Sequence, residues 1–254
     1  MSELETEARP IATLVLKPAQ EKRLLAGHSW VFSNELKDPA AKEGAKPGDL
    51  AVVRTSAGLE LGLAFYNPNS LIAARLLSRN PGEKIDAEFF RKRLADALAY
   101  RERLFPGENS YRLCFGESDG LPGLVIDRYG AILVLQVLSA GIERRLDLIQ
   151  AALDTLLKPK GIYLKNDHRA RQLEGLPLEC RTLAGAVPEG AAITEGGLRF
   201  LAPLGEGQKT GHYFDQRENR AYLTPFFAGR TVLDLYTYTG GFAIAAAKAG
   251  ARAV

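Results

Sequence analysis

The chain has 254 residues, of which 46% are hydrophobic and 25% are charged, and its formal net charge is +3. This is the composition of a globular protein, and no apolar stretch approaches the roughly 20 residues that cross a bilayer. The first residues, MSELETEARP, are acidic and polar and therefore no secretory signal. Cys114 and Cys180 lie too far apart for a metal site or a disulfide framework. We therefore expect a cytoplasmic protein that has no metal and no membrane association.

The first 79 residues consist of short apolar segments that Gly, Pro and Asn residues separate. Segments of this length and punctuation predict strands, with one short helix at residues 19–27. The predicted strands are residues 11–16, 30–32, 50–54, 59–66 and 71–77. Such a set favours a small closed or nearly closed β-barrel. A polar, turn-rich segment begins near Asn80, so we place a domain boundary there.

Residues 80–190 alternate helical and extended patterns, which predicts a middle α+β domain. Asp86 is a suitable N-cap for a helix whose apolar residues recur at helical spacing as far as Phe105. The other predicted elements are a hairpin, a second helix and a strand, at residues 123–138, 141–158 and 161–167.

Residues 191–254 begin a third unit, whose pattern is that of a doubly wound, Rossmann-like α/β domain. Its predicted elements are a hairpin, a helix, a strand, a Gly-rich turn and a helix, at residues 193–204, from 215, 231–236, 237–241 and 242–251. Such a domain needs further βαβ units, so we expect the chain to stop before the domain is complete. Strand 231–236 is apolar on both faces, which suits the centre of a parallel sheet. In the incomplete domain most of the neighbouring strands would be absent, and the apolar side chains of this strand would lack cover. We therefore expect residues 205–254 to be locally unstable.

The turn after the predicted strand 231–236 is the most informative motif. Gly240 and Gly241 would let backbone amides approach a ligand, and Asp234 could accept a hydrogen bond from an ammonium group or an ordered water. The turn lacks both the three-glycine fingerprint of dinucleotide sites and the Gly-Lys-Ser/Thr of a P-loop. It therefore favours a ligand without phosphates, such as S-adenosylmethionine. The alternative is that the two glycines only form a tight βα turn.

A second motif, Gln208–Arg217, combines polar side chains, a glycine and aromatic residues just before a predicted helix. It precedes the strand at 231–236, so both motifs can meet at one end of the same sheet. The alternative is that Asp215 only caps the helix.

The two motifs together resemble a known family. GQKTGHYFDQRENR and VLDLYTYTGGFAIAAAKAGA are similar to the large-subunit ribosomal RNA cytosine-5 methyltransferases of the RlmI type. GHSWVFSNEL and FYNPNSLIAARLL look like the N-terminal PUA domain of that family, an RNA-binding β-barrel. FRKRLADALAYRERL and YRLCFGESDGLPGLVIDRYG look like its middle domain. The resemblance covers the whole chain in collinear order.

The resemblance implies an S-adenosylmethionine-dependent enzyme that forms 5-methylcytosine in 23S ribosomal RNA, and it suggests a homodimer. The PUA-like barrel would help to hold RNA, and the third domain would bind the cofactor. The residues that match the cofactor motifs of the family are Lys209, Thr210, Gly211, Phe214, Asp215, Gln216, Arg217, Asp234, Tyr236, Tyr238, Gly240 and Gly241.

Catalysis at carbon 5 of cytosine needs a thiolate that adds at carbon 6 and a base that removes the carbon-5 proton. In the family the cysteine and an Asp-Pro-Pro segment lie downstream of the cofactor motif, and this chain contains neither. Cys114 and Cys180 both have apolar neighbours and are expected to be small packed residues. We therefore assign no catalytic residue to these 254 residues and expect the chain itself to be inactive.

The candidate RNA contacts lie in the first domain, where basic side chains could take phosphates and an aromatic ring could stack on a base. They are Lys17, Lys22, Arg23, His28 and Trp30. The alternatives are a solvated helix face for Lys22 and Arg23, a core position for Trp30 and a structural or incidental role for His28. Two other functions stay open: a stand-alone RNA-binding protein, and a methyltransferase of another substrate.

Overall fold

The computed structural model describes residues 12–38 and 44–254, so the first residue of the predicted strand 11–16 lies outside the described residues. The strands are β1 Ala12–Val15, β2 Trp30–Val31, β3 Asp49–Arg54, β4 Glu60–Tyr66, β5 Ala74–Ser78, β6 Ser110–Phe115, β7 Leu124–Tyr129, β8 Ile132–Val137, β9 Gly161–Asn166, β10 Glu179–Gly185, β11 Gly190–Glu195 and β12 Leu198–Pro203. The helices are α1 Glu21–Leu25, α2 Ala87–Leu104, α3 Ala140–Glu143, α4 Leu146–Leu157, α5 Ala170–Leu173, α6 Arg217–Leu223 and α7 Gly241–Lys248.

The N-terminal strands form one sheet in the order β1-β3-β4-β5-β2, in which only β1 and β3 are parallel. Beyond β1, the chain pairs with the segment that follows β2, because Lys17 N donates to Glu35 O and Lys37 N to Val15 O, both at 2.8 Å. This pairing brings the two edges together and confirms a nearly closed barrel. Its core contains the fully buried Leu14 and Val31.

The middle sheet has the order β10-β9-β8-β7-β6 and is covered on both faces. Alternate residues of β8 point to opposite faces, so Leu133 packs with helices α2 and α4, whereas Val134 packs with the hairpin β11–β12. Helix α2 begins as predicted, because Phe89 N donates to the Asp86 carboxylate at 3.0 Å. The fold is therefore multidomain α/β and α+β, and the hairpin of the third unit lies on the middle sheet.

The predicted strand 231–236 is wrong. Within the described residues only Thr231 forms a bridge, to Ala253, and the rest of the segment pairs with no strand. A strand is stabilised by its neighbours, and here a single bridge is the only pairing. Leu233 and Leu235 are consequently 80% and 67% exposed.

Four further elements differ from expectation, among them the short helix α5, which was not predicted. Strand β6 was not predicted, and neither was β10, an edge strand whose residues are all exposed or only partly buried. The single helix expected from residue 141 is broken into α3 and α4, because the buried Arg145 donates to Gly48 O and Gly141 O at 3.0 Å. This arginine connects the middle domain to the N-terminal domain, and the local sequence pattern does not predict the contact.

Candidate functional site

The Gly-rich turn has a left-handed backbone at three positions. Tyr236, Tyr238 and Gly240 have φ values of 59°, 50° and 76°. Tyrosine rarely adopts this conformation, which persists only where other contacts impose it. The Tyr238 hydroxyl supplies such contacts: it accepts from Gln208 N and donates to Gly211 O, both at 3.0 Å. The two predicted motifs are therefore joined.

Asp234 lies beneath this turn, at the beginning of helix α7. Its Oδ2 atom accepts a hydrogen bond from Ala243 N at 3.0 Å and one from the Thr237 hydroxyl at 2.7 Å. A carboxylate here satisfies a free amide of the first helical turn and complements the helix dipole. Asp234 thus holds the turn against the helix.

A cavity of about 610 Å³ lies between the two motifs, and we call it the turn cavity. Five of the residues assigned to the cofactor from the resemblance line it: Gln216, Asp234, Tyr236, Tyr238 and Gly241. The other residues that line it belong to the same two motifs but were not assigned to the cofactor: Gln208, His212, Tyr213, Arg220, Leu235, Thr237, Thr239 and Phe242. The sequence contains a signal for Arg220: it lies four residues, about one helical turn, beyond Gln216, which places both side chains on the same face of a helix.

A buried charged cluster of Glu195, His212 and Arg220 lies beside the turn cavity, which His212 and Arg220 line. Arg220 Nε donates to Glu195 Oε1 at 2.7 Å, and His212 Nε2 lies 3.3 Å from Glu195 Oε2. All three side chains are at most 6% exposed. Burial raises the pKa of Glu195, but the hydrogen bond with His212 and the charge of Arg220 outweigh burial and hold this pKa below its ordinary value. The Nδ1 atom of His212 is buried without a partner among the described residues.

The other residues of the segment 209–217 lie elsewhere. Lys209, Phe214, Asp215 and Arg217 line a second, larger cavity of about 1030 Å³, which we call the aromatic cleft. Thr210, Gly211 and Gly240 line neither cavity.

All three of these residues have structural contacts, and Gly240 N donates to Thr237 O at 2.9 Å. Buried Thr210 donates to the Asp127 carboxylate. A side chain at Gly211 would lie 2.6 Å from Pro203 O. The structure thus divides the twelve assigned residues among two cavities and the frame between them.

The candidate RNA contacts are brought together on the first domain, but four of the five have partners within the protein. Arg23 Nη1 donates to Glu35 at 2.8 Å, and its guanidinium lies over the Phe32 ring. Trp30 is only partly buried; its indole N–H donates to Glu117 at 2.6 Å, which joins it to the middle domain. Lys17, Lys22 and His28 are exposed. Lys17 Nζ nevertheless donates to Asn34 O at 2.8 Å, and His28 Nδ1 accepts from Trp30 N at 3.0 Å.

The two cysteines have different environments. Cys114 is fully buried, and burial raises the pKa of its thiol, so thiolate is scarce. Cys180 is exposed on the edge strand β10, so its prediction as a packed residue is wrong. An edge strand leaves side chains uncovered whatever the character of their neighbours in sequence.

We expect iodoacetamide to alkylate Cys180 in the folded chain and to spare Cys114. Mass spectrometry should then find one adduct per native chain and two adducts after denaturation. Alkylation of native Cys114 at a rate comparable with that of Cys180 would contradict the burial of its sulfur.

Among residues 12–38 and 44–254, no group of His, Cys, Asp and Glu side chains is arranged to hold a metal ion. Across the same described residues, no helix is both long enough and apolar enough to span a membrane.

Two family models match the chain. Residues 14–79 match a PUA-like domain, and residues 132–254 match an S-adenosylmethionine-dependent methyltransferase. Residues 132–254 therefore belong to the S-adenosylmethionine-dependent methyltransferase family, and residues 14–79 form a PUA-like domain. This result confirms the resemblance that the motifs indicated, and with it the cofactor class.

Among curated proteins, the chain is similar to "Ribosomal RNA large subunit methyltransferase I" of Cronobacter sakazakii and of Escherichia coli. The identities are 41% and 40% over 245 residues, which are 95% of this chain and 61% of each relative. The chain thus spans about three fifths of the length of these relatives.

Among solved structures, the chain is similar to a protein of Streptococcus mutans described as a SAM-dependent methyltransferase. The TM-score is 0.79 at 25% identity, with 95% of this chain and 62% of that chain covered. A second structure, described as a methyltransferase complexed with SAH, has a TM-score of 0.80 at 25% identity, with 95% of this chain and 61% of that chain covered.

Proposed function

We propose that these residues are the RNA-binding and cofactor-binding part of an RNA methyltransferase that forms 5-methylcytosine in 23S ribosomal RNA. The observation that carries the proposal is the turn cavity, in which the two cofactor motifs meet at the beginning of helix α7. The names of the curated relatives support ribosomal RNA as the substrate.

The residues of the turn cavity fit S-adenosylmethionine. The Arg220 guanidinium and the free amides at the beginning of helix α7 suit a carboxylate. Asp234 suits an ammonium group, and the Tyr236 ring, which is fully exposed, suits the flat adenine. The buried, unpartnered Nδ1 of His212 leaves one more polar atom for a ligand. When bound, the cofactor supplies an electrophilic methyl group.

Calorimetric titration with S-adenosylhomocysteine tests the cofactor part of this proposal. We expect one binding site per chain that S-adenosylmethionine competes for, and no binding of NAD or ATP, because the turn lacks phosphate-binding motifs. Binding of NAD or ATP without binding of S-adenosylhomocysteine would refute the assignment.

The RNA part rests on the basic side chains of the PUA-like domain. We expect Lys17→Ala to weaken RNA binding similarly for all sequences and to lower the slope of log K against log salt by about 1, as for one lost phosphate contact. Arg23→Ala should weaken binding as well, and it also frees Glu35. Lys248→Ala, on an exposed position of helix α7, is the control. An unchanged salt slope in the Lys17→Ala, Arg23→Ala double variant would place the RNA site elsewhere.

The resemblance also leads us to propose a cytoplasmic homodimer. Light scattering of the purified chain tests the dimer, and a monomer at micromolar concentration would remove that part of the proposal.

A further inference from the structure

The segment 207–217 forms a wall between two cavities. Gln208, Tyr213 and Gln216 line the turn cavity on one side, whereas Lys209 and Phe214 line the aromatic cleft on the other. One strip of chain thus contacts both cavities, and if the first holds the cofactor, the second is free for another ligand.

The cleft is built from aromatic rings that the fold leaves open. Phe115 is 51% exposed and Tyr100 is 48% exposed, and Phe105 and Phe214 line the same cavity. Open rings gathered in one concavity, rather than scattered singly, indicate a binding surface.

Arginine side chains lie against these rings. The guanidinium carbon of Arg112 lies 5.2 Å from the centre of the Phe115 ring, and that of Arg101 lies 5.3 Å from the centre of the Tyr100 ring. Flat rings and flat guanidinium groups side by side are the surfaces on which unpaired bases stack.

Acceptors behind the cleft hold these arginines in place. Asp119 accepts from Arg101 at 2.8 Å, and Asp127 accepts from Arg112 at 2.9 Å. Their charges are therefore largely neutralised, and these two residues contribute orientation rather than attraction. The attraction comes from the rim, where Arg169 is exposed and has no ion-pair partner among the described residues. Lys209 also lies on the rim, and its 3.4 Å contact with Asp215 is open to solvent and therefore weak.

We propose that the aromatic cleft binds an unpaired segment of RNA, with bases stacked on Phe115 and Tyr100 and phosphates at Arg169 and Lys209. This inference rests on the proposed function, which makes RNA the acceptor. The bound RNA must be unpaired because the rings lie within a cavity. A base can place its flat face on a ring there only when it is not stacked within a duplex. The volume of about 1030 Å³ lies at the upper end for ligand sites and gives room to more than one nucleotide.

Fluorescence anisotropy with a short single-stranded oligoribonucleotide, and with the same sequence as a duplex, tests this site. We expect Phe115→Ala to weaken binding of the single strand by about tenfold, the loss of one stacked base, and to leave duplex binding unchanged. Phe115→Trp should retain binding. Leu178→Ala, which truncates another exposed apolar side chain, is the control.

Photocrosslinking with thiouridine-containing RNA, mapped by mass spectrometry, locates the contact independently of the PUA-like domain. Crosslinks at residues 100–115 support the cleft. Crosslinks confined to residues 12–38, or wild-type binding by Phe115→Ala, refute it. The same variants are titrated with S-adenosylhomocysteine: a chain that binds RNA in the cleft but no S-adenosylhomocysteine would overturn the methyltransferase proposal and leave the cleft standing.

Discussion

Replacing Arg220 with alanine is expected to lower the free energy of unfolding of the C-terminal part by about 3 kcal/mol, because it leaves a buried carboxylate without its main partner. Arg220 contacts Glu195 at 2.7 Å and donates to Tyr213 O at 3.0 Å. Removal of one partner of a buried ion pair is destabilising by roughly 3–5 kcal/mol. The lower end applies here, since Arg217 Nε remains 3.4 Å from the same carboxylate.

The measurement is denaturant unfolding together with hydrogen exchange of strands β11 and β12. Arg199→Ala is the matched control, because Arg199 is an exposed arginine on the same hairpin; its effect should stay within about 0.5 kcal/mol. Equal stability of the two variants would show that Glu195 does not depend on Arg220.

The same cluster predicts a dependence of stability on pH. The pKa of folded Glu195 is lowered, so its stabilising contribution is fully present above the ordinary value of 4.5. As the pH falls below 4.5, the unfolded chain binds the proton before the folded chain does. The contribution therefore declines and is lost once the pH has passed the folded-state pKa. Glu195→Gln should flatten this part of the stability curve, and an unchanged curve would contradict the assignment.

Replacing Asp234 with alanine should lower the affinity for S-adenosylhomocysteine by about one to two orders of magnitude, whereas Asp215→Ala should change it less than about twofold. Both carboxylates match the family's cofactor motifs, but only Asp234 lines the turn cavity. The loss at Asp234 has two sources: the hydrogen bonds to Ala243 N and Thr237, and the charge that faces the ammonium group of the ligand.

Asp234→Asn separates these sources, since the amide oxygen can still accept from Ala243 N while the charge is gone. We expect its affinity to lie between those of the wild type and Asp234→Ala. Circular dichroism shows whether each variant is folded. A larger loss for Asp215→Ala than for Asp234→Ala would move the cofactor to the aromatic cleft.

The local elements could be predicted because their signals lie within a few residues. Asp86 begins helix α2 through a hydrogen bond to an amide three residues away. The hairpin β7–β8 follows from two apolar runs around Gly130, and the left-handed backbone at Gly240 suits a glycine. The left-handed Tyr236 and Tyr238 of the same turn could not be predicted in this way. The family motifs were recognisable for the same reason: each is one continuous run of sequence.

The tertiary structure alone decided which side of the segment 207–217 each residue faces. Lys209 and Gln216 belong to one motif, yet they line different cavities. Helix α2 and the middle sheet form the rest of the aromatic cleft on one side of the segment, and the Gly-rich turn forms the rest of the turn cavity on the other. Likewise Glu195 and Arg220 meet across 25 residues, and Cys180 is exposed because its strand lies at an edge. Burial and charge pairing depend on which elements pack together, and this packing is a property of the folded chain rather than of any window of its sequence.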